Sequence, residues 1–168
     1  MRRFLTGSIF FLGVVFLPIA MSPAQSSAAG GRDYRNDPRL HALRKFFHQG
    51  LCPAEHLATV FLEAADAYEL DWRLLPSLSF VESTGGKAAH NNNMFGWDSG
   101  RARFASPSAG IHAVGYSLSH ADGYRGKKLD VLLATYNPNA DYPRIVKSVM
   151  RSIAASELIA VSLSATRQ

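Results

Sequence analysis

The sequence predicts a mainly α-helical domain with a small, irregular β-hairpin. Apolar residues recur at helical spacing through most of the chain after residue 37, and helix-starting and helix-ending residues bracket these stretches. Residues 95–104 have no helical period, and Asp98-Ser99-Gly100 is a turn signal, so a hairpin is expected there. With 168 residues, 47% of them hydrophobic, the chain has the size and composition of one globular domain.

Three helices are predicted in the first half of this domain. Asp37-Pro38 is an N-cap followed by proline at the first helical position, and Gly50 ends that helix. Pro53 opens a second helix, and Asp71 caps a third that runs to about Ser83 before two glycines. The second helix has the clearest apolar face, formed by Leu57, Val60, Phe61, Ala64 and Tyr68.

Three more helices are predicted in the second half. Ser106-Pro107 starts the fourth, residues 129–136 form the fifth, and the sixth begins near Pro143. We therefore expect a helical domain over residues 37–157, a linker over 25–36 and a C-terminal surface tail over 158–168.

The first residues are typical of a secretory signal peptide. Arg2 and Arg3 precede an apolar run that ends at Ala20, and small residues follow up to Ala24. We predict cleavage after Ala24, with Ala29 as the second choice; an uncleaved membrane anchor is the alternative. A cleaved chain would be exported to the periplasm, cell envelope or exterior, without further contact with the membrane.

Charge and cysteine content exclude several classes of function. The net charge of +5 comes without a basic run, which argues against a nucleic-acid partner. The single cysteine, Cys52, excludes a disulfide framework, and the six histidines form no metal-binding motif, so neither metal nor cofactor is expected. Cys52 lies just before Pro53, where a helix N-terminus would activate a thiol; a Cys/His peptidase is one alternative, and an incidental buried thiol is favoured.

Glu82 is the most informative residue in the predicted third helix. On a helical wheel it falls between Leu78 and Leu75, inside the apolar arc, where a surface helix would not place a glutamate. Burial and the nearby helix C-terminus would both raise the pKa of this carboxyl. A carboxylic acid kept neutral in an apolar wall is what a glycosidase uses as its general acid.

Three short motifs surround and follow this glutamate. A helix ends in Glu-Ser-x-Gly-Gly at residues 82–86, and Asn-x-Phe-Gly follows at residues 93–96. A late Tyr-Asn pair is followed by another tyrosine and a helix: Tyr136, Asn137 and Tyr142. In this order and spacing, over residues 53–154, the chain resembles the glucosaminidase family of bacterial cell-wall glycoside hydrolases, within the lysozyme-like superfamily.

The resemblance implies a substrate groove for the peptidoglycan glycan strand. Glu82 would protonate the glycosidic oxygen, and Tyr136 would lie opposite it as the second catalytic residue. Trp97 is expected to stack on a sugar ring. The resemblance and this stacking together define the candidate substrate-binding residues as Asn93, Phe95, Gly96, Trp97, Asn137 and Tyr142.

Several alternatives stay open at this point. Asp98 is a candidate second carboxylate and Asp141 the next, although Asp98 also suits a turn; the acetamido group of the substrate is the third candidate. Soluble lytic transglycosylases are similar but usually carry Gly-Leu-Met-Gln where this chain has Asn-Met-Phe-Gly at residues 93–96. We therefore favour an endo-β-N-acetylglucosaminidase, with a lytic transglycosylase or a catalytically silent glycan-binding protein as alternatives; the oligomeric state is not predicted.

Overall fold

The computed structural model describes residues 32–165, with side chains up to Ser156. Its helices confirm the predicted mainly helical class. The six α-helices are α1 (Pro38–Gln49), α2 (Ala58–Ala67), α3 (Leu74–Ser83), α4 (Pro107–His120), α5 (Leu129–Tyr136) and α6 (Tyr142–Ala165).

The helix starts show where local capping rules hold. The Asp37 side chain accepts a hydrogen bond from the backbone N–H of Arg39, and the Ser106 side chain accepts one from Ala109, as expected of N-caps. The region after Pro53 differs, because a 3₁₀ turn (Pro53–Leu57) precedes α2. Asp71 also lies further out than predicted: α3 begins at Leu74, and Arg73 occupies its N-cap position.

The predicted β-hairpin over residues 95–104 is wrong. The described residues contain no sheet, and the one isolated β-bridge among them joins His90 to Asn93. The segment coils instead, and Asp98 has a positive φ. The N–H of Gly100 donates to the carbonyl of Gly96, and the N–H of Arg101 donates to the carbonyl of Asp98. These tight turns use the backbone groups that a strand ladder would need.

Helix α3 lies at the centre of the packing. Its residues from Leu74 to Ser79 are all buried, although two of them are serines. Helix α6 packs on α1, α3 and α5, and α2 packs on α4. The packing of α6 on α3 brings the start of α6 to the end of α3, where Tyr142 contacts Glu82.

Some predictions concern residues that lie outside this description. The signal peptide (1–24), its cleavage site and most of the linker (25–31) fall outside the described residues. Helix α6 continues to Ala165, into the predicted tail, whose side chains are also outside the description. Within residues 32–165, no helix is both long and apolar enough to cross a membrane.

Candidate active site

Glu82 lies one residue before the end of α3 and is partly buried. The helix ends because Thr84 adopts the left-handed conformation, with φ 53°. Ser83 is buried, and its hydroxyl lies 2.8 Å from the carbonyl oxygen of Met94 and 3.1 Å from that of Ser79. The last turn of α3 is thereby attached to the segment that contains Gly96.

The Glu82 carboxyl has a neighbour at each oxygen. The Tyr142 hydroxyl, from the first residue of α6, donates a hydrogen bond to Oε1 at 2.6 Å. On the other side, a Cβ atom placed on Gly96 would lie only 2.9 Å from Oε2. Gly96 itself is exposed, so the missing side chain leaves open space next to Oε2. The carboxyl is therefore held in position, with one oxygen close to the surface.

Burial raises the pKa of Glu82 above its ordinary value, and the hydrogen bond from Tyr142 opposes this by favouring the carboxylate. The direction agrees with the helical wheel, which places Glu82 on the apolar side of α3. Burial and the nearby Glu82 carboxylate also raise the pKa of Tyr142, so its hydroxyl stays protonated and remains a donor. A carboxyl in this environment keeps its proton closer to neutral pH than an exposed glutamate does.

Two predicted substrate-binding residues support the site from within the fold. The Asn93 side chain is buried, and its amide pairs with the backbone of Trp97: Nδ2 donates to the carbonyl at 3.0 Å, and Oδ1 accepts from the N–H at 3.0 Å. The Phe95 ring is fully buried and packs edge-on against Phe61. Both side chains shape the segment around Gly96, and neither presents its side chain to a ligand.

Aromatic side chains form one wall of the site. The Tyr136 hydroxyl donates to the carbonyl of Phe95 at 2.6 Å, and its ring stacks on that of Tyr142 at 5.8 Å. The partly exposed Trp97 ring lies 5.8 Å from Tyr136 and 5.9 Å from Tyr124. The structure thus brings Tyr142 to Glu82 and connects Tyr136 and Trp97 to it through ring contacts. Tyr124 was not predicted, because a single aromatic residue in an aperiodic loop has no sequence signal.

The two candidates for a second catalytic carboxylate, Asp98 and Asp141, each form an ion pair with an arginine. Asp98 is more than half exposed and forms an ion pair with Arg101 at 2.7 Å. Asp141 is likewise exposed and pairs with Arg144 at 3.0 Å. Neither shares the partly desolvated surroundings of Glu82. The remaining predicted residue, Asn137, ends α5, where its side chain accepts a hydrogen bond from the N–H of Asn139.

Cys52 lacks the surroundings of a catalytic thiol. It is buried, its thiol lies 3.5 Å from the carbonyl oxygen of Gly50, and burial raises its pKa. A Cβ atom on Gly85 would lie 2.8 Å from Cys52 Cβ, which shows how tightly the residue is packed. Among the described residues, no three His, Cys, Asp or Glu side chains group so that they could hold a metal ion.

We expect Asn93→Ala to lower the free energy of unfolding by roughly 1–3 kcal/mol, because it removes a buried amide that accepts from the N–H of Trp97 and donates to the Trp97 carbonyl. Urea unfolding monitored by circular dichroism measures this loss. Asn36→Ala is the matched control, since Asn36 is an exposed asparagine in the turn before α1. Equal losses in the two variants would contradict a special role for Asn93.

These contacts build a site with one partly desolvated carboxyl, an open space at Oε2 and an aromatic wall. Such a carboxyl can donate a proton to an oxygen that is placed beside it and later accept one back. Comparison of the chain with known protein families, with characterised proteins and with solved structures finds no match.

Proposed function

We propose that this protein is an exported peptidoglycan hydrolase that cleaves β-1,4 glycosidic bonds of the glycan strand, with Glu82 as its general acid. The observation that carries the proposal is the Glu82 carboxyl itself, which is partly buried, accepts from Tyr142 at Oε1 and has the exposed Gly96 beside Oε2. The partly exposed Trp97 nearby offers a ring face for a sugar. The motifs at residues 82–86 and 93–96 favour a glucosaminidase.

The two carboxyl oxygens have different tasks in this proposal. Tyr142 donates to Oε1, so the proton to be transferred resides on Oε2. Oε2 adjoins the space that the missing Gly96 side chain leaves, where the glycosidic oxygen would lie. Proton transfer from Oε2 to this oxygen accompanies departure of the leaving sugar with the bonding electron pair.

The attacking group belongs to the substrate itself. Asp98 and Asp141 are exposed and paired with arginines, so neither is placed to act as nucleophile or base. The acetamido oxygen of the sugar attacks the anomeric carbon and forms a cyclic oxazolinium ion. Water then opens this ring, and the Glu82 carboxylate takes the proton from that water. The two steps together need only one carboxyl group of the protein, that of Glu82, which gives up a proton in the first step and regains one in the second.

Product analysis tests this proposal directly. Purified peptidoglycan is digested with the protein and with its Glu82→Gln variant, and the new ends are identified by mass spectrometry. Reducing GlcNAc ends that are absent with the variant would support a glucosaminidase, whereas reducing MurNAc ends would indicate a muramidase and 1,6-anhydro-MurNAc ends a transglycosylase. Absence of any cleavage would overturn the proposal, and a pull-down on the same material would then test a silent glycan-binding protein.

Tyr142→Phe is expected to move the basic limb of the pH–activity profile to higher pH. The variant loses the hydrogen bond that favours the Glu82 carboxylate, so the pKa of Glu82 rises further. Because a general acid must be protonated, a higher pKa extends activity upward in pH. A profile of kcat/KM on a soluble glycan measures the shift.

The matched control for this prediction is Tyr136→Phe. The Tyr136 hydroxyl donates to the carbonyl of Phe95 and not to Glu82, so its removal should leave the basic limb in place. A downward shift in Tyr142→Phe, or equal shifts in both variants, would show that Tyr142 does not control the protonation of Glu82.

A further inference from the structure

A pocket lies at the junction of the end of α2, the end of α4 and the loop before α5. Its volume is about 520 Å³, within the range of ligand-binding pockets. Its lining combines aromatic rings with charged groups, among them Tyr68, Glu69, His120, Tyr124 and Lys127.

This pocket is connected to Glu82 by a row of aromatic rings. Tyr124 lines the pocket and packs on Trp97. Trp97 packs on Tyr136, and Tyr136 stacks on Tyr142, which donates to Glu82. Consecutive rings in this row lie between 5.8 and 5.9 Å apart. Tyr142 is buried, whereas Tyr136, Trp97 and Tyr124 are partly exposed, so the accessible part of the row runs from Tyr136 to the pocket.

The chemistry of the lining suits a carbohydrate. A sugar ring has apolar C–H faces, which pack on aromatic rings such as Tyr68 and Tyr124, and a rim of hydroxyls, which need donors and acceptors. Glu69 offers acceptors, and the Lys127 ammonium, which donates to Thr135 at 2.9 Å, offers further donors.

The rim of the pocket is also held in place before any ligand binds. The His120 ring stacks on Tyr116 at 4.3 Å with the planes 8° apart, and its Nδ1 lies 2.6 Å from the Ser119 hydroxyl. Tyr68 packs edge-on against both rings. A preorganised rim lowers the entropy cost of binding.

We propose that this pocket is a distal saccharide subsite, which binds a more remote sugar of the same strand that Glu82 cleaves. The inference rests on the proposed function, because it takes the ligand to be a glycan chain. It adds that the protein acts on long strands in preference to short ones.

Binding of chitin oligosaccharides tests the subsite, with calorimetry on the Glu82→Gln background so that no ligand is cleaved. The GlcNAc hexasaccharide should bind about tenfold more tightly than the disaccharide. His120→Ala and Lys127→Ala should each weaken hexasaccharide binding by about three- to tenfold and leave the disaccharide nearly unaffected. Tyr124→Phe, which keeps the ring, should bind as its parent does.

His41→Ala is the matched control, because His41 is an exposed histidine on α1, away from the pocket lining. Equal weakening for both ligand lengths, or unchanged hexasaccharide binding in both pocket variants, would overturn the distal subsite even if the parent protein cleaves peptidoglycan. Failure of the proposed function has a different signature, namely no glycan cleavage by the parent protein.

Discussion

The Glu82→Gln variant is expected to keep the fold and to lose about 10²- to 10⁴-fold in glycan cleavage, the usual contribution of a general acid. Glutamine has nearly the same shape, and its carbonyl oxygen can still accept the hydrogen bond from Tyr142. It has no carboxyl proton to transfer. Initial rates of reducing-end release from purified peptidoglycan, compared with the parent protein, measure the loss.

Glu63→Gln is the matched control for this variant. Glu63 is an exposed glutamate on α2, so the same substitution there removes a charge without touching the site. Its cleavage rate should equal that of the parent protein. A comparable loss in both variants, or full activity in Glu82→Gln, would remove Glu82 from the proposed mechanism.

The raised pKa of Glu82 also predicts how this variant changes stability with pH. Because the pKa is higher in the folded state, the stability that Glu82 contributes is fully present below its unfolded pKa of about 4.3 and is lost as the pH rises through the folded value. Glu82→Gln has no such loss, so it should gain stability relative to the parent as the pH rises from 4 to 7. Urea unfolding at both pH values checks the sign, and a relative loss of stability toward pH 7 would contradict it.

Gly96→Ala is expected to reduce glycan cleavage by tenfold or more, with a loss of about 1–2 kcal/mol in the free energy of unfolding. The stability loss follows from the φ of +61°, which an alanine adopts at a cost of that size. The larger effect is on the site, because the added Cβ would lie 2.9 Å from Glu82 Oε2. The methyl group would occupy the space that the glycosidic oxygen needs and displace the carboxyl. Parallel measurement of cleavage rate and urea unfolding separates the two effects.

Gly100→Ala is a closely matched control. Gly100 belongs to the same coiled segment and also has a positive φ, +80°, but an added Cβ there would meet nothing within 4 Å. Its stability loss should resemble that of Gly96→Ala, while its activity should stay near that of the parent. If both variants lost activity equally, backbone strain would explain the loss, and direct contact with Glu82 would not.

The side of α3 on which Glu82 lies could be predicted from the sequence, because helical periodicity depends only on residues within a few positions. The spacing of Leu74, Leu75 and Leu78 places residue 82 on the apolar side of α3, and the structure finds it partly buried with a raised pKa. The N-caps at Asp37 and Ser106 were equally predictable, since each depends on residues within one turn.

The turn after Gly96 was predictable from the sequence, but the hairpin predicted from it is wrong. Asp98-Ser99-Gly100 predicts a reversal of the chain, and a two-stranded hairpin was the simplest form of it. In the structure, three positive φ angles in succession coil the backbone on itself, and Asn92 and Asn93 hold it with side-chain hydrogen bonds. Side chains outside the turn therefore decide between hairpin and coil.

Helical spacing and capping residues are enough to predict a helical domain with a glutamate on the buried side of α3. The contacts of that glutamate depend on tertiary packing. Tyr142 lies 60 residues further along the chain and reaches Glu82 because α6 packs on α3; Tyr136, the expected catalytic partner, bonds instead to the carbonyl of Phe95. Helix spacing depends on neighbours within a few residues, whereas a hydrogen bond across such a separation depends on how whole helices pack.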